Sequence, residues 1–348
     1  MAKATNNPLA SLNLSGLSQL EDISQAKDAQ EALVKGAPKP LIQAVDQAPN
    51  LGPLAKLPGT WVGTGFNLIE LPNMNQAKPG PPPADKFRVE LNSTSETLTF
   101  STIAGGIFNR GNAQADIEYL GIHYLQQVAD VNLPKGQNGI HLETGLFLNL
   151  PGGTDPKVDV SVARLGSIPH GDSLLAQGTY FTVKGGPKFD VPPADSTPFF
   201  IVDGKRSNDT SGAYLALLNN AVPPSGIPKE AILNPNIILE NAIKGQNIIE
   251  TTVIMLDANP IPGVCNPGAI PSTGGITNIP FVQVNANATS LTAIFWIETV
   301  QNEDGSTFMQ LQYTQTVILD FPVFGPPPTS PVTPISWPHI SVATLRLQ

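Results

Sequence analysis

From Trp61 onward the chain is a succession of short, alternating apolar segments, each cut off within a few residues by Gly, Pro, Asn or Asp. Trp61–Leu68, Lys86–Leu91, Thr97–Ile103, Ile117–Val131, Gly139–Leu148, Val158–Leu165 and Gln177–Val183 read as strands. Phe281–Val284, Thr292–Gln301, Phe308–Phe321 and Ile340–Leu347 resume the pattern near the C-terminus. Thirty-five prolines and 31 glycines supply the interruptions, and 41% apolar against 14% charged residues is enough to fill a core. So many strands in one sheet leave exposed edges unless the sheet closes on itself. The expected fold is all-β: a closed antiparallel up-and-down β-barrel of about ten strands with a ligand pocket inside.

Two stretches depart from the strand rhythm. Ser15–Lys35 has helical character, with Leu17, Leu20, Ile23 and Ala26 on a narrow apolar stripe, and predicts an N-terminal helical arm. The second runs over about 185–275, where paired prolines surround a short helix at Tyr214–Asn220 and a strand at Asn247–Leu256; it reads as an insertion lying over the barrel. The organisation is therefore an arm and linker over 1–56 and one barrel domain over 57–348. In the last strand, His339, Ser341, Ala343 and Leu345 share one face and Ile340, Val342, Thr344 and Arg346 the other. Both faces are partly apolar, which predicts a strand covered on both sides, its outer face shielded by the arm or the insertion.

Net charge of −9 and a pI near 4.9 leave no basic stripe, and nucleic acid is not an expected partner. Met1–Gln30 has no apolar run of signal-peptide length, and no stretch approaches the roughly 18 apolar residues of a spanning helix, so the expectation is a soluble, cytoplasmic protein. The single cysteine, Cys265, excludes an intrachain disulfide and reads as a loop thiol. There is no phosphate loop, no G-x-S-x-G elbow and no H-E-x-x-H. What remains for chemistry is four histidines: His123, His141, His170 and His339.

The segment Gly59-Thr60-Trp61-Val62-Gly63-Thr64-Gly65 resembles the opening G-x-W-x-G-x-G strand of the nitrobindin-type haem-binding β-barrels, which share the lipocalin and fatty-acid-binding-protein style of barrel. Further matches follow in order. Tyr124-Leu125-Gln126 is similar to the family's Y-x-Q strand, His141-Leu142-Glu143-Thr144-Gly145 to its H-x-E-[ST]-G strand, and His339 to Arg346 to its C-terminal H-x-x-x-x-L-x-R strand. The resemblance covers about 57–183 and 281–348, and neither the arm nor the insertion has a counterpart in it. It implies a b-type haem (haem b) bound through iron to His339 as the proximal ligand, with Trp61, Tyr124, Gln126 and His141 around the cofactor. The implied reactants are small diatomic or peroxy molecules: nitric oxide on the ferrous form, peroxynitrite isomerised to nitrate on the ferric form, or peroxidase-like turnover.

Period-2 alternation adds that Tyr124 and Gln126 share a face opposite His123, so that if they point inward His123 is outside. His141 reads either as a strand histidine hydrogen-bonded beside Glu143 or as a distal or propionate contact, and His170 as a solvent histidine in a turn. Only a neutral imidazole binds iron, so acid should release haem by protonating His339 at a pH below the free value of about 6.5. Two other readings stand beside haem: a carrier or sensor of a fatty acid or other apolar molecule, and an interaction module using the proline run Gly325–Pro331.

Overall fold

The computed structural model describes residues 51–72, 87–103, 105–154, 157–185, 194–202, 205–207, 212–258, 274–321 and 334–348. The expected arm at Ser15–Lys35, Cys265 and the proline run lie outside the described residues.

Ten strands form the wall: β1 (Gly59–Pro72), β2 (Phe87–Thr102), β3 (Ile117–Asp130), β4 (Gly139–Leu150), β5 (Ser161–Ile168), β6 (Asp172–Lys184), β7 (Asn247–Asp257), β8 (Asn287–Gln301), β9 (Thr307–Phe321) and β10 (Ile335–Leu347). Each pairs antiparallel with the next, and β1 pairs with β10 in the register Gly63↔Leu345 and Leu68↔Ile340, closing the barrel. Closure pairs the ten wall strands all round, so none of them is left as an open edge. The Gly-x-Gly of the opening motif has a steric cause. A Cβ on Gly63 would stand 2.1 Å from the Thr344 carbonyl oxygen, and one on Gly65 2.1 Å from that of Val342. Only glycine lets β1 pass so close to β10.

Inside, one end is packed solid. A 3-10 turn at Gly52–Leu54 buries Leu51 and Leu54 completely against Trp61, whose indole Nε1 donates to the Leu57 carbonyl at 2.7 Å. Above this plug, Tyr124, Phe147 and Phe295 stack edge to face at centroid distances of 5.2 and 5.5 Å.

The outer wall carries a second core. Phe66 and Leu68 of β1, Val253 of β7, Trp296 of β8, and Ile340 and Val342 of β10 are covered by Ala194, by Leu218 of helix α1 (Gly212–Asn220), by Ile232 and by Leu239 of helix α2 (Asn236–Ala242). Burying a leucine of this kind contributes about 1.5–3 kcal/mol. The described part of the insertion thus clads the wall and explains why β10 is apolar on both faces.

Several element boundaries differ from expectation. Lys86–Leu91 and Thr97–Ile103 are one strand, β2, because the polar run between them continues the ladder with β1, with Asn67 opposite Asn92. The strand expected within the insertion is a wall strand, β7, between β6 and β8, so the cover consists of the segments on either side of it. Phe281–Val284 is not a strand. Pro280, with its fixed φ, opens a short helix instead, α3 (Pro280–Asn285), which leaves Phe281 and Val284 exposed and turns Val282 and Ala286 to the interior. No helix among the described residues is long and apolar enough to cross a membrane.

Candidate ligand-binding site

Above the packed end the barrel encloses a cavity of about 430 Å³, within the range of small-molecule and cofactor sites. Its walls are mostly apolar, from Ile69 and Leu71 of β1 round to Val317 and Leu319 of β9, with Val282 of α3 also lining it and Glu90, Thr94 and Asp172 as polar side chains among them. Polar groups enter at two levels. Gln126, Tyr313 and Gln315 line the floor, and Asn67, Asn92, His339 and Ser341 line one side.

His339 points inward because it shares the face of Ser341, Ala343 and Leu345, of which Ala343 and Leu345 belong to the interior core. Its Nε2 lies 2.7 Å from the Asn67 carboxamide oxygen, which also accepts the Ser341 hydroxyl at 2.8 Å. The ring is enclosed by protein but keeps part of its surface open to the cavity. Burial, with smaller contributions from His141 and His170, lowers its pKa to about 3, so the imidazole is neutral over the physiological range.

Below the floor lie two buried polar networks. In the first, Arg164 pairs with Glu143 at 2.8 Å, donates from Nε to the Tyr124 hydroxyl at 3.2 Å and from Nη1 to Gln315 at 2.6 Å. The guanidinium is 2% exposed and its carbon sits 5.4–5.8 Å from the ring centroids of Tyr124, Phe295 and Phe147. Burial alone would raise the Glu143 pKa; Arg164, with hydrogen bonds from His141 and Tyr124, outweighs it and holds the carboxyl down to about 2. In the second network Glu96 accepts from Tyr313 at 2.6 Å and from Gln126 at 2.8 Å. Burial outweighs these hydrogen bonds and the weaker pull of His141 and Arg164, and its pKa is pushed up to about 7.

The sequence candidates are distributed as follows. His339 and Gln126 line the cavity; Tyr124 faces inward but lies beneath the floor, 1% exposed and hydrogen-bonded to Glu143. His123 is outside, bonded to the Thr144 hydroxyl at 2.9 Å. Trp61 sits in the plug at the packed end and is not among the lining side chains. His141 stands on the rim, its Nε2 3.5 Å from Glu143, and faces His170 at a ring separation of 6.0 Å. These two histidines, with Val128 and Ile140, separate the cavity from an outer cleft of about 670 Å³, so His170 belongs to the rim of the site and is more than a solvent histidine in a turn. Arg164, Glu96, Tyr313 and Asn67 were not anticipated. An inward arginine was readable from alternation, since Arg164 is two residues beyond the buried Val162.

Neither a protein-family model nor a curated protein matches the chain. Among solved structures, the crystal structure of Rv2717c from M. tuberculosis aligns over 88% of this chain and 99% of its own length, at 14% identity and a TM-score of 0.38. That likeness is too distant to assign this chain a family or an activity.

Proposed function

We propose that the cavity binds a b-type haem through His339. The observation that carries the reading is the state of that side chain: a neutral, hydrogen-bonded imidazole on the wall of a mostly apolar cavity of cofactor size. The residues present fit the group. Among the described residues there is no cluster of three or more His, Cys, Asp or Glu able to cage a bare ion, so an iron held by His339 must bring its other donors with it, as a porphyrin does. Bound haem supplies the redox and ligand-binding chemistry at iron, with nitric oxide and peroxynitrite as the reactants the family resemblance suggests.

The chain's own residues bind, orient and exclude. The apolar part of the wall would pack against a macrocycle, and the hydrogen bond to Asn67 fixes the plane of the His339 ring. His141 and His170 stand where a peroxy or diatomic reactant would pass between the outer cleft and the interior. Glu96, Tyr313 and Gln126 form a proton-bearing floor that a peroxidase-like reaction could use.

A second reading has its own support. The floor of Gln126, Tyr313 and Gln315 beneath mostly apolar walls also suits the polar head of a fatty-acid-like molecule. Native mass spectrometry of the purified protein before and after haemin addition separates the two. A mass increase of one haem supports the first reading; refusal of haem together with a co-purified organic molecule replaces it with the second.

A further inference from the structure

One row of polar side chains runs along the inner wall over four neighbouring strands, from β3 through β2 and β1 to β10. Asp130, 6% exposed, holds one carboxylate oxygen on the backbone N–H of Asn132 at 2.8 Å and the other on Asn92 Nδ2 at 2.8 Å. Asn67 Nδ2 donates to Asn92 Oδ1 at 3.2 Å, and Asn67 Oδ1 faces His339 Nε2 at 2.7 Å and the Ser341 hydroxyl at 2.8 Å. Amide orientation is ordinarily ambiguous, but this row has a fixed end. A carboxylate only accepts, so Asn92 must offer its NH2 to Asp130. Its oxygen then faces Asn67, which must offer its own NH2, and Asn67 presents an oxygen to His339.

We infer that Asp130, Asn92 and Asn67 form a directional amide relay that locks neutral His339 as the Nε2–H tautomer and leaves the lone pair on Nδ1 for a ligand in the cavity. The three are positioning residues. Which ring nitrogen of a histidine is free to bind is set by the hydrogen bond the other makes, and here that choice is made by a carboxylate three side chains away. The consequence for haem rests on the reading of His339 given above; the tautomer is a property of the protein without haem.

Asp130→Asn supplies the test because it is isosteric and reverses the fixed end. With the Asn132 N–H still holding the oxygen of residue 130, its new NH2 points at Asn92, and each amide downstream must turn over. Asn67 then offers N–H to Nε2, and the proton moves to Nδ1. Long-range 1H–15N correlation of the labelled full chain, without haem, reads the tautomer directly. The expected wild-type spectrum has His339 Nε2 of pyrrole type and Nδ1 of pyridine type, with the two exchanging character in Asp130→Asn. In an Asn67→Leu background the Asp130→Asn change should leave the His339 shifts unaltered. A wild-type ring protonated at Nδ1, an unchanged tautomer in Asp130→Asn, or an Asp130→Asn effect that survives Asn67→Leu would each overturn the relay. The wild-type spectrum alone already exposes it to failure. Haemin affinity should fall roughly 10–100-fold in Asp130→Asn, the usual effect of losing a ligand's outer partner. Should neither protein take haem while the tautomers follow the relay, the haem reading fails and the relay stands; haem bound through His339 with no tautomer change gives the reverse.

Discussion

Replacing Glu96 by Gln should change how stability depends on pH more than it changes stability itself. Glu96 is 3% exposed, and its folded pKa of about 7 lies above the ordinary value of 4.5. A carboxyl whose pKa is raised on folding stabilises the native state while protonated. That contribution is complete below about pH 4.5 and is lost as the pH rises through about 7. At about 1.4 kcal/mol per unit of pKa difference, the loss between pH 5 and pH 8 is about 2–3 kcal/mol. Glutamine does not titrate. It can still accept from Gln126 and, with the Tyr313 hydroxyl turned round, donate to Tyr313, so the exchange of partners costs about 1 kcal/mol. The variant is therefore expected to be slightly less stable than wild type at pH 5 and more stable at pH 8. Urea unfolding of both proteins at half-unit steps measures this, and the raised carboxyl of Glu298 cancels in the difference because both proteins keep it. A difference that stays constant from pH 5 to pH 8 would refute the argument.

Other perturbations have distinct signatures. Arg164→Leu removes the guanidinium that compensates the fully buried Glu143 carboxylate, leaving it Tyr124 and His141, and should cost about 3–5 kcal/mol in denaturant unfolding, whereas changing both partners to apolar residues should restore most of it. Glu143 itself, held down to about 2, contributes stability that is present above about pH 4.5 and lost as the pH falls towards 2, so acid unfolding of wild type should be steeper than that of Glu143→Gln. Leu239→Ala removes a fully buried side chain from the outer core and should cost about 2–4 kcal/mol, with faster hydrogen exchange in β9 and β10, where Gln312 bonds the Leu239 carbonyl; an effect under 1 kcal/mol would mean the cladding is not docked.

Much of the barrel was legible because alternation at period 2 and turn residues act locally. The same alternation sorted Tyr124 and Gln126 onto the face opposite His123, and His339 onto that of Ser341, Ala343 and Leu345, without saying which face is inward; the structure turns the Gln126 and His339 faces to the interior. What failed was local resemblance between states. Phe281-Val282-Gln283-Val284 alternates like a strand, yet the proline before it starts a helix, and the polar stretch Asn92 to Glu96 looks like a turn although it lies in the middle of β2. The site was less legible than the wall. Glu96 meets Tyr313 across 217 positions of sequence and Asn67 meets His339 across 272, and such pairings depend on how ten strands register around a closed sheet. From sequence, His339 protonation is placed below the free value of about 6.5 without saying how far below, and the distance is set by the same long-range pairings. Enclosure by distant strands keeps His339 neutral down to about pH 3, so its protonation sets in only there.

The central claim is tested most directly by titrating purified protein with haemin and following absorbance in the Soret region, wild type beside His339→Ala. Haem bound through His339 gives a sharp band that saturates near one equivalent in wild type and is lost or strongly shifted in the variant. The same band, with the same position and saturation in His339→Ala, or no specific band in wild type, would contradict it.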